Sequence, residues 1–212
     1  WRLLNAGLPP QSHSFDSQEL GVHGSSLFVS TADNGVFRSI NGGQSWQAVG
    51  NGLPLTSSGK AWPPTDYLSR GNNLYGALYN RGVYVSTDNG QTWTALSNGL
   101  TDLKSRTLTA VNSTLFVGTG DFSTGTIYRS TDGGQNWTEA RNGLPAASIQ
   151  ILTTNGTAVL AGTSRGLYLS YDNGDSWVAA TTGLGTSRVE AIAISNQYIL
   201  VGNGNGVFLS AN

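Results

Sequence analysis

Short apolar runs alternate with polar turns along the whole chain. The runs are rich in Val, Leu, Ile, Phe and Tyr, and most of the turns contain Gly or Asn. Apolar positions do not recur with helical spacing over any stretch of ten residues. Runs of this kind, bounded by Gly and Asn, are typical of strands that are joined by tight turns. The pattern therefore predicts an all-β chain.

The same order of segments recurs five times. Each unit has an apolar first strand, a β-rich second strand and a third strand that a Gly introduces; in the fifth unit these are residues 191–194, 199–201 and 206–209. A short fourth strand follows, and then a corner that reads Gly-Leu-Pro or a variant of it. The corners begin at Gly7, Gly52, Gly99, Gly143 and Gly183. Four short antiparallel strands per unit are therefore expected.

An eight-residue motif, Ser-x-Asp-x-Gly-x-x-Trp, joins the third strand of a unit to the fourth, and we call it the box. Residues 86–93, 130–137 and 170–177 match it fully, and residues 39–46 differ by one Asn. The four box Trp residues and Trp1 are spaced by 40 to 47 residues. The repeats are therefore assigned to residues 1–45, 46–92, 93–136, 137–176 and 177–212.

The box has the composition of a turn. A short Asp or Asn side chain at its third position is expected to accept hydrogen bonds from backbone N–H groups one and two residues further on. The Gly at its fifth position can adopt the positive φ that such a turn requires. The Trp then anchors the next strand on apolar surface. Structural roles are accordingly predicted for Asn41, Asp88, Asp132, Asp172, Trp46, Trp93, Trp137 and Trp177.

The box resembles the Asp-box, or BNR repeat, of sialidase-like β-propellers, and the resemblance extends along the whole chain. It implies one domain over residues 1–212: a five-bladed β-propeller of four-stranded antiparallel blades. Residues 210–212 match the first three positions of another box, and Trp1 can supply its last position. We therefore expect residues 1–4 to pair with the fifth unit as its fourth strand and close the ring. A segment of a longer array of six or seven blades is the alternative.

Composition removes several classes of partner. Charged residues are 11% of the chain and the net charge is −1, so neither a nucleic acid nor an inserted membrane is expected as a partner. Cysteine is absent, which excludes disulfides, thiolate metal sites and a cysteine nucleophile. His13 and His23 have no third ligand at a usable spacing, and we expect neither metal nor cofactor. The resemblance implies an extracytoplasmic location: secreted, periplasmic or cell-surface.

A ligand site, if the domain has one, is expected at the end of the sheets that lies opposite the boxes. Alignment of the units places one polar position near the start of each first strand: Gln18, Thr65, Arg106, Gln150 and Glu190. The turns between second and third strands supply further polar and aromatic side chains. Trp62 stands outside the box pattern on a loop that Pro63 and Pro64 stiffen. The predicted ligand-binding residues are Trp62, Tyr79, Arg81, Arg106, Phe122, Arg165 and Glu190.

Three functions are compatible with these residues. The first is a non-catalytic binding or structural module for carbohydrate or protein. The second is a sialidase-like glycoside hydrolase; the resemblance then implies clustered Arg residues and catalytic groups drawn from Glu190, Asp66, Glu19 and Tyr79. However, the Arg-Ile-Pro segment and the sixth blade of that family are missing, and nothing pairs the carboxylates. The third is a subunit of a larger extracellular assembly. Since fold does not confer function, the binding module is the preferred hypothesis.

Overall fold

The computed structural model describes residues 1–9, 17–121, 123–195 and 197–211, with the side chains of residues 17 and 18 left out. The described residues form strands and turns and no helix. They divide into two compact units, Trp1–Leu96 and Ser97–Asn212. Each unit is a set of antiparallel sheets in which neighbouring strands follow one another in the sequence. The prediction of an all-β chain is confirmed.

The first unit contains two four-stranded sheets. Sheet 1 consists of β1 (Ser17–His23), β2 (Ser26–Thr31), β3 (Gly35–Ser39) and β4 (Gln47–Val49). Sheet 2 consists of β5 (Asp66–Arg70), β6 (Asn73–Leu78), β7 (Gly82–Ser86) and β8 (Thr94–Ala95). Their first strands are joined by a 2.8 Å hydrogen bond between His23 Nδ1 and Ser69 Oγ. Tyr67 packs against Gly21, where a Cβ would collide with its ring.

The second unit contains three sheets. Sheet 3 consists of β9 (Ser105–Val111), β10 (Thr114–Thr119), β11 (Ile127–Ser130) and β12 (Thr138–Glu139). Sheet 4 consists of β13 (Ile149–Thr154), β14 (Val159–Thr163), β15 (Gly166–Ser170) and β16 (Val178–Ala179). Sheet 5 consists of β17 (Val189–Ile194), β18 (Tyr198–Asn203) and β19 (Gly206–Ala211). Sheets 3 and 4 are linked by a 3.0 Å bond from Leu152 N to Thr107 Oγ1.

The fourth strand predicted for sheet 5 is not formed. Its strand order ends at β19, and residues 1–4 are not in a strand. Instead, the carbonyl of Leu4 accepts a 2.9 Å hydrogen bond from Trp46 Nε1, and the Leu4 side chain lies on Gly43 of the first box. These contacts fix the N-terminal segment to sheet 1. The prediction that residues 1–4 pair with sheet 5 is therefore wrong for this structure.

The boxes form tight turns, but their hydrogen bonds differ from the predicted ones. In the third box, Asp132 Oδ1 accepts a 2.9 Å bond from the backbone N–H of Asn136, four residues further on. The hydroxyl of Ser130 donates to the same oxygen and accepts from Gly134 N at 2.8 Å. The expected bond from two residues on is not made to Asp132, because Gly134 N donates to Ser130 instead, and that part of the prediction is wrong. The positive φ of the fifth-position glycine is confirmed, for example 94° at Gly134.

Two of the boxes also pack against the preceding sheet of their own unit. In the first unit, the buried ring of Phe28 lies where a side chain on Gly90 would stand, and Trp93 joins Phe28, Val36 and Leu53 in one apolar cluster. In the second unit, Phe116 has the same relationship to Gly174, and Trp177 lies in the cluster of Phe116. The core is therefore built between successive sheets. Trp93, Trp137 and Trp177 are buried, and Trp46 is half-buried.

Candidate functional site at the mouth end of the sheets

One end of every sheet, opposite its box, collects the start of the first strand and the turn between the second and third strands. This follows from the antiparallel order of the strands, and we call it the mouth end. Because the boxes lie at the other end, their carboxylates do not contribute to it. Among the predicted ligand residues that the structure describes, Arg106 and Glu190 lie at the start of a first strand, and Tyr79, Arg81 and Arg165 lie in turns between second and third strands. Trp62 lies in the loop that precedes β5.

A β-bulge marks the start of the first strand in four sheets. In sheet 3, Ser105 pairs with Thr119 and Thr107 with Gly118, so the register of the ladder shifts by one residue at Arg106. The same shift leaves out one residue in each of three other sheets, namely Gln18, Gln150 and Glu190. A bulge of this kind bends the strand and redirects the extra side chain. These are the residues that the sequence alignment placed at one equivalent position.

The bulge residues of the second unit differ in charge. Arg106 and Gln150 are half-buried, and Glu190 is exposed. Arg165 is exposed in the turn between β14 and β15, at the same end of sheet 4. The mouth end of this unit therefore presents a cation, an amide and a carboxylate on three successive first strands. Phe122 lies outside the described residues.

The loops around these residues are held by their own hydrogen bonds. Lys104 Nζ forms a 2.8 Å ion pair with Asp121 Oδ2, and Gly120 N donates to the Lys104 carbonyl at 3.1 Å. Asp121 also accepts bonds from the backbone of Ser123 and Thr124, and together with Lys104 these hold its pKa well below the usual range. The ion pair was missed from sequence because its partners are 17 residues apart. It fixes the corner loop of sheet 3 to the turn that follows β10.

The mouth end of the first unit contains Trp62 and Arg81. The Arg81 guanidinium lies 4.7 Å from the centre of the Trp62 ring, in a cation–π contact. Trp62 is half-buried against the apolar cluster of sheets 1 and 2, and its backbone N–H donates to the Pro54 carbonyl at 2.7 Å. Arg81 Nη1 also donates to the Asn80 carbonyl, and Tyr79 beside it is half-buried. One face of the indole is thus already covered by Arg81.

Two carboxylates, Glu19 and Asp66, lie at the starts of the first strands of sheets 1 and 2. Burial and, to a smaller extent, the negative charge of Asp66 raise the pKa of Glu19 to about 6, while a backbone hydrogen bond at Leu20 opposes the shift. Tyr67 also has a raised pKa, because it is buried. Its hydroxyl is within 2.6 Å of Ser30 Oγ. The two carboxylates are therefore electrostatically coupled.

No metal centre is found in the described part of the chain, where no three His, Asp or Glu side chains converge. His23 is buried and bonded to Ser69, as a structural residue would be. His13 lies outside the described residues. No helix in the described ranges is long and apolar enough to cross a membrane.

Repeated sheets of short antiparallel strands, joined in sequence order, are the construction of β-propeller blades. Comparison with family models agrees: the model described as the DUF6242 beta propeller domain matches residues 9–184. The chain therefore belongs to this β-propeller family. A comparison with curated proteins gives no match.

Solved structures share the fold at low sequence identity. A GH74 xyloglucanase from Xanthomonas campestris is 18% identical with a TM-score of 0.64, over 89% of this chain and 35% of that one. The extracellular domain of a putative one-component system from B. thetaiotaomicron is 17% identical with a TM-score of 0.70, over 90% of this chain and 26% of that one. YCF48 bound to D1 peptide is 14% identical with a TM-score of 0.62, over 97% of this chain and 66% of that one. This chain thus spans about a third of the xyloglucanase and a quarter of the sensor domain.

Proposed function

We propose that this chain is a non-catalytic, extracytoplasmic β-propeller module of the Asp-box type, which binds its ligand at the mouth end of its sheets. The observation that carries the proposal is the bulge at one register in four sheets. Bulges are frequent beside binding sites because they redirect a side chain. A different polar residue stands at each bulge in the second unit, namely Arg106, Gln150 and Glu190. A common scaffold with varied side chains is suited to selective recognition.

A neutral carbohydrate is the ligand class that these side chains favour. The three bulge residues of the second unit are one cation, one amide and one carboxylate. Arg165 adds a second cation on sheet 4, so charges of both signs are distributed over separate sheets and are not concentrated to hold a free anion. In the first unit, Trp62 and Arg81 offer an aromatic and cationic surface of the kind that packs on sugar rings. The likeness to a xyloglucanase makes xyloglucan, a neutral polysaccharide, the first glycan to test. The likeness to a sensor's extracellular domain supports the extracytoplasmic location.

The test is glycan-array screening followed by titration calorimetry with xyloglucan oligosaccharides. Arg106→Ala and Glu190→Gln should each weaken binding at least tenfold, and the parent protein should show no turnover of the bound glycan. Gln44→Ala, at an exposed box position, is the matched control and should leave the affinity unchanged. Binding of a peptide library without any glycan would instead favour recognition of a protein loop, as in YCF48 with its D1 peptide.

A glycoside hydrolase is the second candidate, and the state of Glu19 is what favours it. Such enzymes need one carboxyl that stays protonated and a second that is ionised. Glu19, whose pKa is raised to about 6, is the candidate for the protonated carboxyl, and Asp66 is the second carboxyl beside it. Measurable glycoside hydrolysis that is lost in Glu19→Gln would replace the binding proposal with this one.

A further inference from the structure

A groove of about 810 Å³ opens in the second unit beside the corner glycine Gly183. Its walls are formed by Leu167, Ala180 and Leu184 on the side of sheet 4, and by Phe208 and Leu209 of β19 on the side of sheet 5. These apolar side chains form the walls together with polar ones, among them Thr157, Thr182 and Ser210. Gly183 itself, at φ +75°, has no atom within 4 Å of the place where a Cβ would stand.

The same position in the preceding sheet pair holds a tryptophan. Trp177 packs in a cluster with Ile127 and Ala140, with Leu144 against it, and its Nε1 donates to the Ala140 carbonyl at 2.9 Å. Hydrogen bonding identifies the equivalent residues directly. Ala140 N bonds to Ile127 O at 2.8 Å, and Ala180 N bonds to Leu167 O at 2.9 Å. The groove beside Gly183 is thus lined by residues equivalent to those that surround Trp177.

The exposed face of sheet 5 has residues equivalent to those by which sheet 3 contacts the next box along the chain. Leu200 pairs with Leu209, just as Phe116 pairs with Arg129 in sheet 3. Phe116 is fully buried because it presses on the box glycine Gly174, whereas Leu200 is 41% exposed and Leu209 is 64% exposed. Among the described residues, the third strand of the sheet, β19, has a hydrogen-bonded neighbour on one side only. Sheet 5 therefore offers an apolar face and an open strand edge beside the groove.

We propose that the groove and the open edge of β19 bind residues 1–4 of a second copy of this chain, with the indole of Trp1 in the groove. Trp1 precedes Gly7 by six residues, which is also the spacing from Trp137 to Gly143. It is therefore in sequence the box tryptophan of its unit, followed by the residues of a fourth strand. Leu4 stays bonded to Trp46 of its own chain, but Trp1 is fully exposed and Leu3 is 79% exposed, so both side chains can contact another molecule.

The register of this contact follows from the complete sheets. In sheet 3, Tyr128 pairs with Glu139 and Arg129 with Thr138. The equivalent pairs are Phe208 with Leu3, and Leu209 with Arg2. Addition of a strand to an exposed edge uses main-chain hydrogen bonds, while the indole in the groove supplies specificity. Because the two surfaces in contact are different, the association is head-to-tail and builds a ring or a chain of copies.

The absence of cysteine from the sequence allows a direct test. Arg2→Cys and Leu209→Cys proteins are prepared separately, mixed and oxidised. The expected result is a disulfide-linked pair of chains on a non-reducing gel, formed at least ten times faster than with Leu103→Cys as the partner. Leu103 is also exposed but does not belong to β19. In parallel, the mass by light scattering should rise with concentration, and Trp1→Ala should weaken the association at least tenfold.

The proposal is overturned by either of two results. A cross-linking rate equal to that of the Leu103→Cys control would show that the edge of β19 does not receive residue 2. A double Arg2→Cys, Leu209→Cys variant that oxidises wholly within single chains would assign the segment to its own chain rather than to a second copy. Neither result bears on the mouth end, so the glycan experiments stand apart from this test.

Discussion

The carbonyl oxygen of Trp177 lies where the Cβ of any residue that replaced Gly143 would stand. The residue before that glycine, Asn142, accepts a 2.9 Å hydrogen bond from the backbone N–H of the same tryptophan. Corner and box are therefore in backbone contact, and glycine is required for steric reasons as well as for its φ of +88°. The same pair of contacts joins Ala6 and Gly7 to Trp46, Asn51 and Gly52 to Trp93, and Asn98 and Gly99 to Trp137.

Substitution of Gly143 by alanine should be strongly destabilising. The positive φ alone costs an alanine about 1–2 kcal/mol, and the backbone of Trp177 must also move to admit the methyl group. We expect a loss of about 3–5 kcal/mol in the free energy of unfolding, measured by urea denaturation. Gly183→Ala is the matched control: its φ is also positive but its Cβ meets nothing. It should lose only about 1–2 kcal/mol; equal losses would refute the steric explanation.

Asn89 makes a second link between successive sheets in the first unit. Its φ is +59°, its carbonyl accepts a 2.7 Å bond from Arg38 Nη1, and its Nδ2 donates to Ser26 Oγ at 2.8 Å. The second unit repeats this arrangement at Asn173, with Arg129 and Thr114 as the partners. Where the fourth box position is Asn, the preceding sheet thus carries an Arg that bonds to it.

Asn89→Ala should therefore lower the free energy of unfolding by about 2 kcal/mol, because alanine is strained at this φ and Ser26 loses a bond. Asn89→Gly keeps the backbone conformation and should lose about 1 kcal/mol from the missing bond. Urea denaturation midpoints at an unchanged m-value measure both. If glycine were the more damaging of the two, the strain argument would fail.

Sequence reasoning succeeded where the determinants are local. The five units, the box turns and the positive φ of Gly134 follow from short-range patterns of Gly, Asp and Trp. The alignment also grouped Arg106 with Glu190, although it did not reveal the bulge that these residues share. A bulge depends on the register of two strands, and nothing in one strand alone specifies it. The signal that could have found it is an extra polar residue at the start of an otherwise apolar first strand.

Contacts between distant segments were not predicted. Arg38 meets Asn89 across 51 residues, and Lys104 meets Asp121 across 17. Such pairs depend on which sheets are neighbours, and composition does not contain that information. Leu4 illustrates the same point, because its segment has the sequence of a fourth strand yet packs on Gly43 of the first box. The repeat pattern predicts what a segment can do, whereas its available partners decide where it lies.

The box carboxylates should make stability depend on pH in the acid range. Hydrogen bonds from Asn136 and Ser130 lower the pKa of Asp132 to about 2, from an ordinary value of 3.8, and bonds from Ser176 and Ser170 do the same for Asp172. Since the folded-state pKa lies below the unfolded one, these groups stabilise the fold fully above about pH 5. Their contribution should be lost as the pH falls through 4 towards 2.

Denaturation midpoints measured from pH 7 to pH 2 test this expectation. The Asp132→Asn, Asp172→Asn double variant is the control, because Asn41 already fills the same position in the first box and accepts the equivalent bond from Ser45 N at 2.9 Å. The double variant should keep its folded structure and lose less stability between pH 5 and pH 2 than the parent chain. Identical pH profiles would show that other groups dominate acid unfolding.

Glu19 should give the opposite pH dependence, because its pKa is raised to about 6 from an ordinary value of 4.5. A carboxyl that binds its proton more tightly in the folded state stabilises the fold below pH 4.5, and that stabilisation is lost as the pH rises through 6. Glu19→Gln should therefore raise the denaturation midpoint at pH 7 relative to the parent and change it little at pH 4.

Carbon-detected NMR titration of the Glu19 carboxyl should give a midpoint near 6, and Asp66→Asn should move it downwards by removing the neighbouring charge. A midpoint of 4.5 in the parent chain would show that Glu19 is more solvated than its position between sheets 1 and 2 implies, and would remove the observation that favours a hydrolase.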